Sequence, residues 1–178
     1  LVLLNSAIET DPNNINAIYW RAQTRNKLNH LEEALDDYTL LLEANPHNTK
    51  VRYARGYIYW QLRKYNASLA DINQVLEQNP KYLKAKHLKA KIFCDQEELD
   101  KALPLLNEVL KENPDDLEIL TLRAQLYSTL NELDAALTDL NKIHEKEPSQ
   151  PRALLMHARV LCKQGKYDEA LIDYEKII

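Results

Sequence analysis

Residues 35–46, LDDYTLLLEANP, decide the fold, because the segment returns in altered form at a fixed interval. Its counterparts are 69–80 (LADINQVLEQNP), 103–114 (LPLLNEVLKENP) and 137–148 (LTDLNKIHEKEP), with 1–12 (LVLLNSAIETDP) in the same register. Pro12, Pro46, Pro80, Pro114 and Pro148 therefore stand 34 residues apart throughout. A constant period of this size over a whole chain signals stacked supersecondary units, each too small to bury its own apolar face. Each segment reads as an apolar helix stopped by a proline, whose ring cannot continue it.

Composition agrees. Among 178 residues there are only two glycines, too few for the turns of an all-β fold or a Gly-rich phosphate loop. The net charge of −4 argues against a nucleic-acid binder acting through its whole surface. Two cysteines, Cys94 and Cys162, do not make a disulfide framework, and free thiols fit a reducing compartment such as the cytoplasm. The opening Leu1-Val2-Leu3-Leu4 lacks the basic leader and length of a signal peptide. No apolar run approaches the roughly 20 residues that cross a bilayer.

Counting each unit from the third residue after its proline, position 8 is always small: Ala22, Gly56, Ala90, Ala124, Ala158. So is position 20: Ala34, Ser68, Ala102, Ala136, Ala170. Two small residues twelve apart predict two helices, A and B, in close antiparallel contact at those points. Asn29, Asn131 and Gly165 at position 15 suit the left-handed residue that ends helix A. The chain opens at position 21 of one unit and stops at position 28 of another, which predicts an excerpt of a longer protein. Residues 1–178 are expected to form a single array. Residues 1–14 are the second helix of a truncated unit, 15–48, 49–82, 83–116 and 117–150 are full units, and 151–178 is nearly complete.

With the aromatic at position 11 (Tyr59, Phe93, Tyr127), Ala at 20 and Pro at 32, this pattern resembles the tetratricopeptide repeat family over the whole chain. The family's Trp at position 4 is replaced by Ile18, Arg52, Lys86, Leu120 and Leu154. The resemblance implies an all-α, right-handed superhelical solenoid of antiparallel helix pairs. It further implies a concave wall made by the A helices, with ligands met by positions 2, 5, 9, 12 and 13.

Position 7 is basic in every unit (Arg21, Arg55, Lys89, Arg123, His157), which could be read as a binding stripe. Position 23 holds Asp37, Asp71, Asp139 and Asp173, and lacks its Asp only at Leu105, where the base is Lys89. That covariation predicts a bridge between helices A and B, since the planar guanidinium grips a carboxylate with two bonds. Pro104 falls inside a B helix, where it removes a backbone bond and predicts a kink or a shortened helix.

Carried onto this sequence, the family's concave wall selects Tyr19, Gln23, Lys50, Tyr53, Tyr57, Trp60, Lys84, His87, Lys91, Gln125, Arg152 and Arg159 as candidate groove residues. The full set of wall positions holds seven basic side chains, Lys27 and Lys163 among them, and two acidic ones, Asp95 and Glu118. An acidic ligand would be steered toward such a wall. Tyr53, Tyr57 and Trp60 share one helix face and are either aromatic anchors or packing against a neighbouring helix. The carboxylate clamp with which some family members grip heat-shock chaperones needs Lys at 5 with Asn at 9. The pairs here are Tyr19/Gln23, Tyr53/Tyr57, His87/Lys91, Thr121/Gln125 and Leu155/Arg159, so the clamp is absent.

The five histidines are scattered over the units with no metal-ligand spacing, so neither an enzyme, a metal nor a cofactor is expected. Asn66-Ala67-Ser68 matches a glycosylation acceptor, a pattern short enough to arise by chance. The expected function is a protein–protein interaction scaffold binding a protein or peptide, acidic in character, in its groove. Two alternatives stay open: a regulatory or substrate-presenting region of a larger enzyme or co-chaperone, and an RNA-binding helical array.

Overall fold

A computed structural model describes residues 1–177. Eleven α-helices and no strand occur among them: α1 (Val2–Thr10), α2 (Ile15–Lys27), α3 (Leu31–Ala44), α4 (Thr49–Gln61), α5 (Tyr65–Gln78), α6 (Leu83–Asp95), α7 (Leu99–Glu112), α8 (Leu117–Thr129), α9 (Leu133–Lys146), α10 (Pro151–Lys163) and α11 (Tyr167–Glu175). Even-numbered helices are the A helices of the sequence pattern and odd-numbered ones the B helices.

The punctuation between helices repeats as faithfully as the prolines. Every A helix ends at a residue in the left-handed region: Asn29 (φ 62°), Arg63 (56°), Glu97 (61°), Asn131 (61°) and Gly165 (77°). The next backbone N–H then reaches back five residues. His30 donates to the Arg25 carbonyl at 2.8 Å, and Lys64, Glu98, Glu132 and Lys166 make the same bond to Tyr59, Phe93, Tyr127 and Leu161. This is the Schellman termination that satisfies otherwise orphaned carbonyls. Arg63 and Glu97 adopt the conformation without the side chain that eases it, so the expectation drawn from Asn and Gly extends to all five turns.

After each B helix the chain extends at Asn45, Asn79 and Asn113, one residue before the proline. Asn14, Asn48 and Asp116 then cap the following A helix by accepting the N–H of Ala17, Val51 and Ile119. Connections this short return each helix against its predecessor, giving antiparallel pairs.

The helices fall into two compact units, Leu1–Ile92 and Phe93 onward. In the first, α1 to α5 pack serially, each on the next, and in the second α7 to α11 do the same. The small residues lie where helices meet: Ala22 with Ala34, Ala124 with Ala136, and Ala158 with Ala170 are all buried. At the fourth such place, Ser68 Oγ donates to the Gly56 carbonyl at 2.7 Å across α4 and α5. A Cβ on Gly56 would come within 3.0 Å of Ile72 Cδ1, so the absence of a side chain sets that approach. The Ser68 of the Asn-Ala-Ser triplet thus serves helix packing.

Pro104 neither ends nor shortens its helix. α7 has 14 residues, as many as α3, α5 and α9. Proline occupies its sixth position on an exposed face, where it removes one N–H from the helix ladder on the solvent side.

Candidate functional site

The bridges predicted between positions 7 and 23 are present and are structural. Asp37, Asp71, Asp139 and Asp173 are all buried, and a buried carboxylate needs a partner. Arg123 grips Asp139 with Nε at 2.7 Å and Nη2 at 2.6 Å. Arg55 grips Asp71 at 2.8 Å with both nitrogens, and Arg21 meets Asp37 at 2.6 Å. Where Arg is replaced, His157 Nδ1 lies 2.6 Å from Asp173. The hydrogen bonds that Arg55 and Arg123 donate to the paired carboxylates hold their guanidinium groups protonated above their ordinary range.

Each arginine has a third contact that the sequence reading missed. Nη1 of Arg21, Arg55 and Arg123 donates to Asn5, Thr39 and Asn107 on the preceding B helix. The guanidinium thus ties three helices together: α1–α2–α3, α3–α4–α5 and α7–α8–α9. A signal existed, because position 25 reads Asn5, Thr39, Asn73, Asn107 and Asn141. Arg52, standing where the family has Trp, also turns inward, with Nη1 at 3.4 Å from Asp71.

With these cations committed to the scaffold, the candidate groove residues sort into three groups. In the first, Tyr19 is half-buried against the core around Ile18 and Tyr38, and its hydroxyl accepts Gln23 Nε2 at 2.9 Å. Tyr19 and the exposed Lys50 line one side of a pocket of about 480 Å³ between α2, α3 and α4, together with Ile15, Asn16 and Asn48. Beside Tyr19, edge-on at 5.8 Å, Trp20 is 59% exposed.

In the second group, Tyr53, Tyr57 and Trp60 are half-buried and pack against the core formed by Ile72, Val75, Ala85, Leu88 and Ile92. Tyr53 meets Tyr82 at 5.4 Å between ring centroids, and Tyr57 meets Trp60 at 5.3 Å. The Lys91 ammonium lies 5.4 Å from the centre of the Trp60 ring, within cation–π reach. These rings are thus packed against the core and remain partly exposed. His87 is half-buried on the same helix as Lys91, whereas Lys84 projects into solvent.

The third group converges. Gln125, Arg152 and Arg159 line one pocket of about 530 Å³ between α8 and α10, with Lys163, Ser128 and Thr129 around them and Leu155 and Met156 beneath. Lys163 Nζ is held by the Ser128 carbonyl at 2.8 Å and its hydroxyl at 3.2 Å. No carboxylate lines this pocket. A neighbouring pocket of about 450 Å³ shares Gln125 and Thr129 and includes Cys94, whose thiol burial pushes up to about 11.

Among the described residues no group of three or more His, Cys, Asp or Glu side chains could hold a metal ion. None of the described helices is long and apolar enough to cross a membrane.

Comparisons with known proteins follow the same lines. Tetratricopeptide repeat models match residues 59–126 and 3–36, and the model for anaphase-promoting complex, cyclosome, subunit 3 matches residues 95–177. No curated protein matches the sequence. Among solved structures, MamA from Desulfovibrio magneticus RS-1 is similar with a TM-score of 0.85 at 17% identity, over 93% of both chains. A tetratricopeptide repeat protein from Parabacteroides merdae ATCC 43184 is similar with a TM-score of 0.77 at 26% identity, over 99% of this chain and 69% of that one. YrrB, described as a TPR protein with an unusual peptide-binding site, has a TM-score of 0.76 at 20% identity, over 98% of this chain and 90% of its own. The 34-residue period, the five identical helix terminations and these matches lead to one conclusion: the chain belongs to the tetratricopeptide repeat family.

Proposed function

We propose that this chain is a protein-interaction scaffold that binds an acidic peptide segment along the exposed faces of its A helices. The observation that carries the reading is the pocket between α8 and α10, where Arg152, Arg159 and Lys163 meet and no carboxylate offsets them. The pocket at Tyr19 and Lys50 pairs an aromatic ring with a cation. Tyr57 and Trp60 add half-open rings of the kind that anchor peptides. The peptide-binding site ascribed to YrrB is a precedent for this use of the fold. The same proposal takes the repeats of residues 1–178 as one array.

The test is fluorescence anisotropy with a labelled peptide alternating Glu and aromatic residues, against a Lys-containing control. Saturable binding of the acidic peptide alone is expected. Arg152→Glu/Arg159→Glu should weaken it by about 2 kcal/mol, roughly thirtyfold, through charge reversal at exposed positions. If the control binds equally well, or the double variant binds as wild type does, the proposal fails.

A further inference from the structure

The arginines of this chain divide by what they touch. Arg21, Arg25, Arg52, Arg55 and Arg123 all point at an aspartate. Arg63, Arg152 and Arg159 have no ion pair among the described residues; Arg63 stands alone at a turn, whereas Arg152 and Arg159 share one face of α10 with Lys163. Like charges four or seven residues apart on a helix repel one another, so their concentration around one pocket has a cost in the free chain. A bound anion would remove it.

The surrounding groups fit that anion. Lys163 is not a loose cation: two bonds to Ser128 fix its ammonium at one end of the pocket. Gln125 supplies an amide from α8, where the Thr129 hydroxyl is spent on the Gln125 carbonyl at 3.0 Å, and Arg152 and Arg159 supply two planar forks from α10. Three cations and a neutral amide exceed what a single carboxylate, with one charge and two oxygens, can satisfy. A phosphoryl group carries nearly two charges and three strong acceptor oxygens, and it pairs bidentately with arginine. Leu155 and Met156 give an apolar floor for the carbon atoms that would carry it.

We infer that this pocket is a subsite for the phosphoryl group of a phosphorylated side chain in a bound peptide. The inference rests on the peptide-binding reading above and narrows it at one place. Arg159 and Arg152 grip the phosphoryl oxygens, Lys163 supplies the fixed third charge, and the Gln125 amide completes the donor set.

The test is two-dimensional amide NMR of the full chain, titrated with the acetylated and amidated peptide Ala-Ala-phosphoserine-Ala-Ala. The same peptide with Ser, the same with Glu, and inorganic phosphate are titrated in parallel. Saturable shifts at Gln125, Ser128, Thr129 and the α10 face are expected, about tenfold tighter for phosphoserine than for Glu or free phosphate, and none for Ser. Arg159→Gln, at an exposed position, should remove them while the melting temperature holds. Equal binding of Glu, or of inorganic phosphate, would overturn the assignment, as would shifts that Arg159→Gln leaves unchanged. A Glu-rich peptide that still binds when phosphoserine shows no preference would sink this inference and leave the acidic-peptide reading standing. If neither binds, both fall.

Discussion

At Arg123, one side chain closes a bond to Asp139 within its own helix pair and another to Asn107 on the helix before. Truncation to Ala would leave a carboxylate that is 1% exposed without a counter-charge, a loss of about 3 kcal/mol. Urea denaturation should show that loss, while peptide affinity, measured where the variant is still folded, should change little. Weakened binding with an unchanged unfolding midpoint would place Arg123 in the binding surface instead. Cys94 makes a chemical prediction. With its thiol pushed up to about 11 from an ordinary 9.0, iodoacetamide at pH 8 should modify it about a hundredfold more slowly than an ordinary thiol. A thiol held neutral in the folded chain adds stability that is intact below pH 9.0 and is lost as pH rises toward about 11. Mass spectrometry of alkylated Cys94 across pH 7 to 10.5 checks the rate, and fast labelling at pH 8 would refute the burial argument.

At the scale of the element, turns and helices were legible to different depths. The left-handed residue at position 15 announces itself as Asn29, Asn131 or Gly165, but Arg63 and Glu97 conceal it, because only the bonds on either side force them there. Arg63→Gly should therefore raise stability by about 1 kcal/mol in thermal unfolding. A neutral or destabilising outcome would show that the Arg63 side chain has a role beyond the turn. Pro104 was legible as an irregularity, but not the full length that α7 keeps around it. A helix of 14 residues held by its apolar face tolerates one absent bond on its solvent side. Pro104→Ala should stabilise α7 by about 1–3 kcal/mol, and an unchanged melting temperature would mean that the ring makes a compensating contact. The aromatic face of α4 was visible as periodicity. How far it sinks into the helices beside it was not, because spacing gives the direction of a side chain and not the depth of what stands opposite.

Across the whole molecule, charge is sorted by use. The position-23 aspartates go inward to the position-7 bases, and the exposed arginines of α10 are left facing a pocket without an acid. The 34-residue alignment made that sorting readable, since it separates positions 2 and 9 from position 7. It did not show that Lys163 is pinned by Ser128, a contact 35 residues away that depends on how two A helices lie side by side. If exposed cations attract the ligand, raising salt from about 50 to about 300 mM should weaken acidic-peptide binding roughly tenfold, as screening shortens the reach of the charges. Affinity indifferent to salt would point to aromatic contacts alone.

The three-way arginine bond has a consequence for how such a chain can change length. Each arginine sits 16 residues after its first partner and 16 before its second: Asn5–Arg21–Asp37, Thr39–Arg55–Asp71, Asn107–Arg123–Asp139. All three joints are cut to one gauge, so the parts are interchangeable. Removing residues 15–48 would bring Asn5 to the distance from Arg55 that Thr39 now holds, and the joint would close with an amide oxygen where a hydroxyl now stands. Removing one residue fewer would strand both ends. A coding sequence spliced or duplicated in whole repeats therefore keeps every joint, and one that slips by a codon loses the joint at the cut.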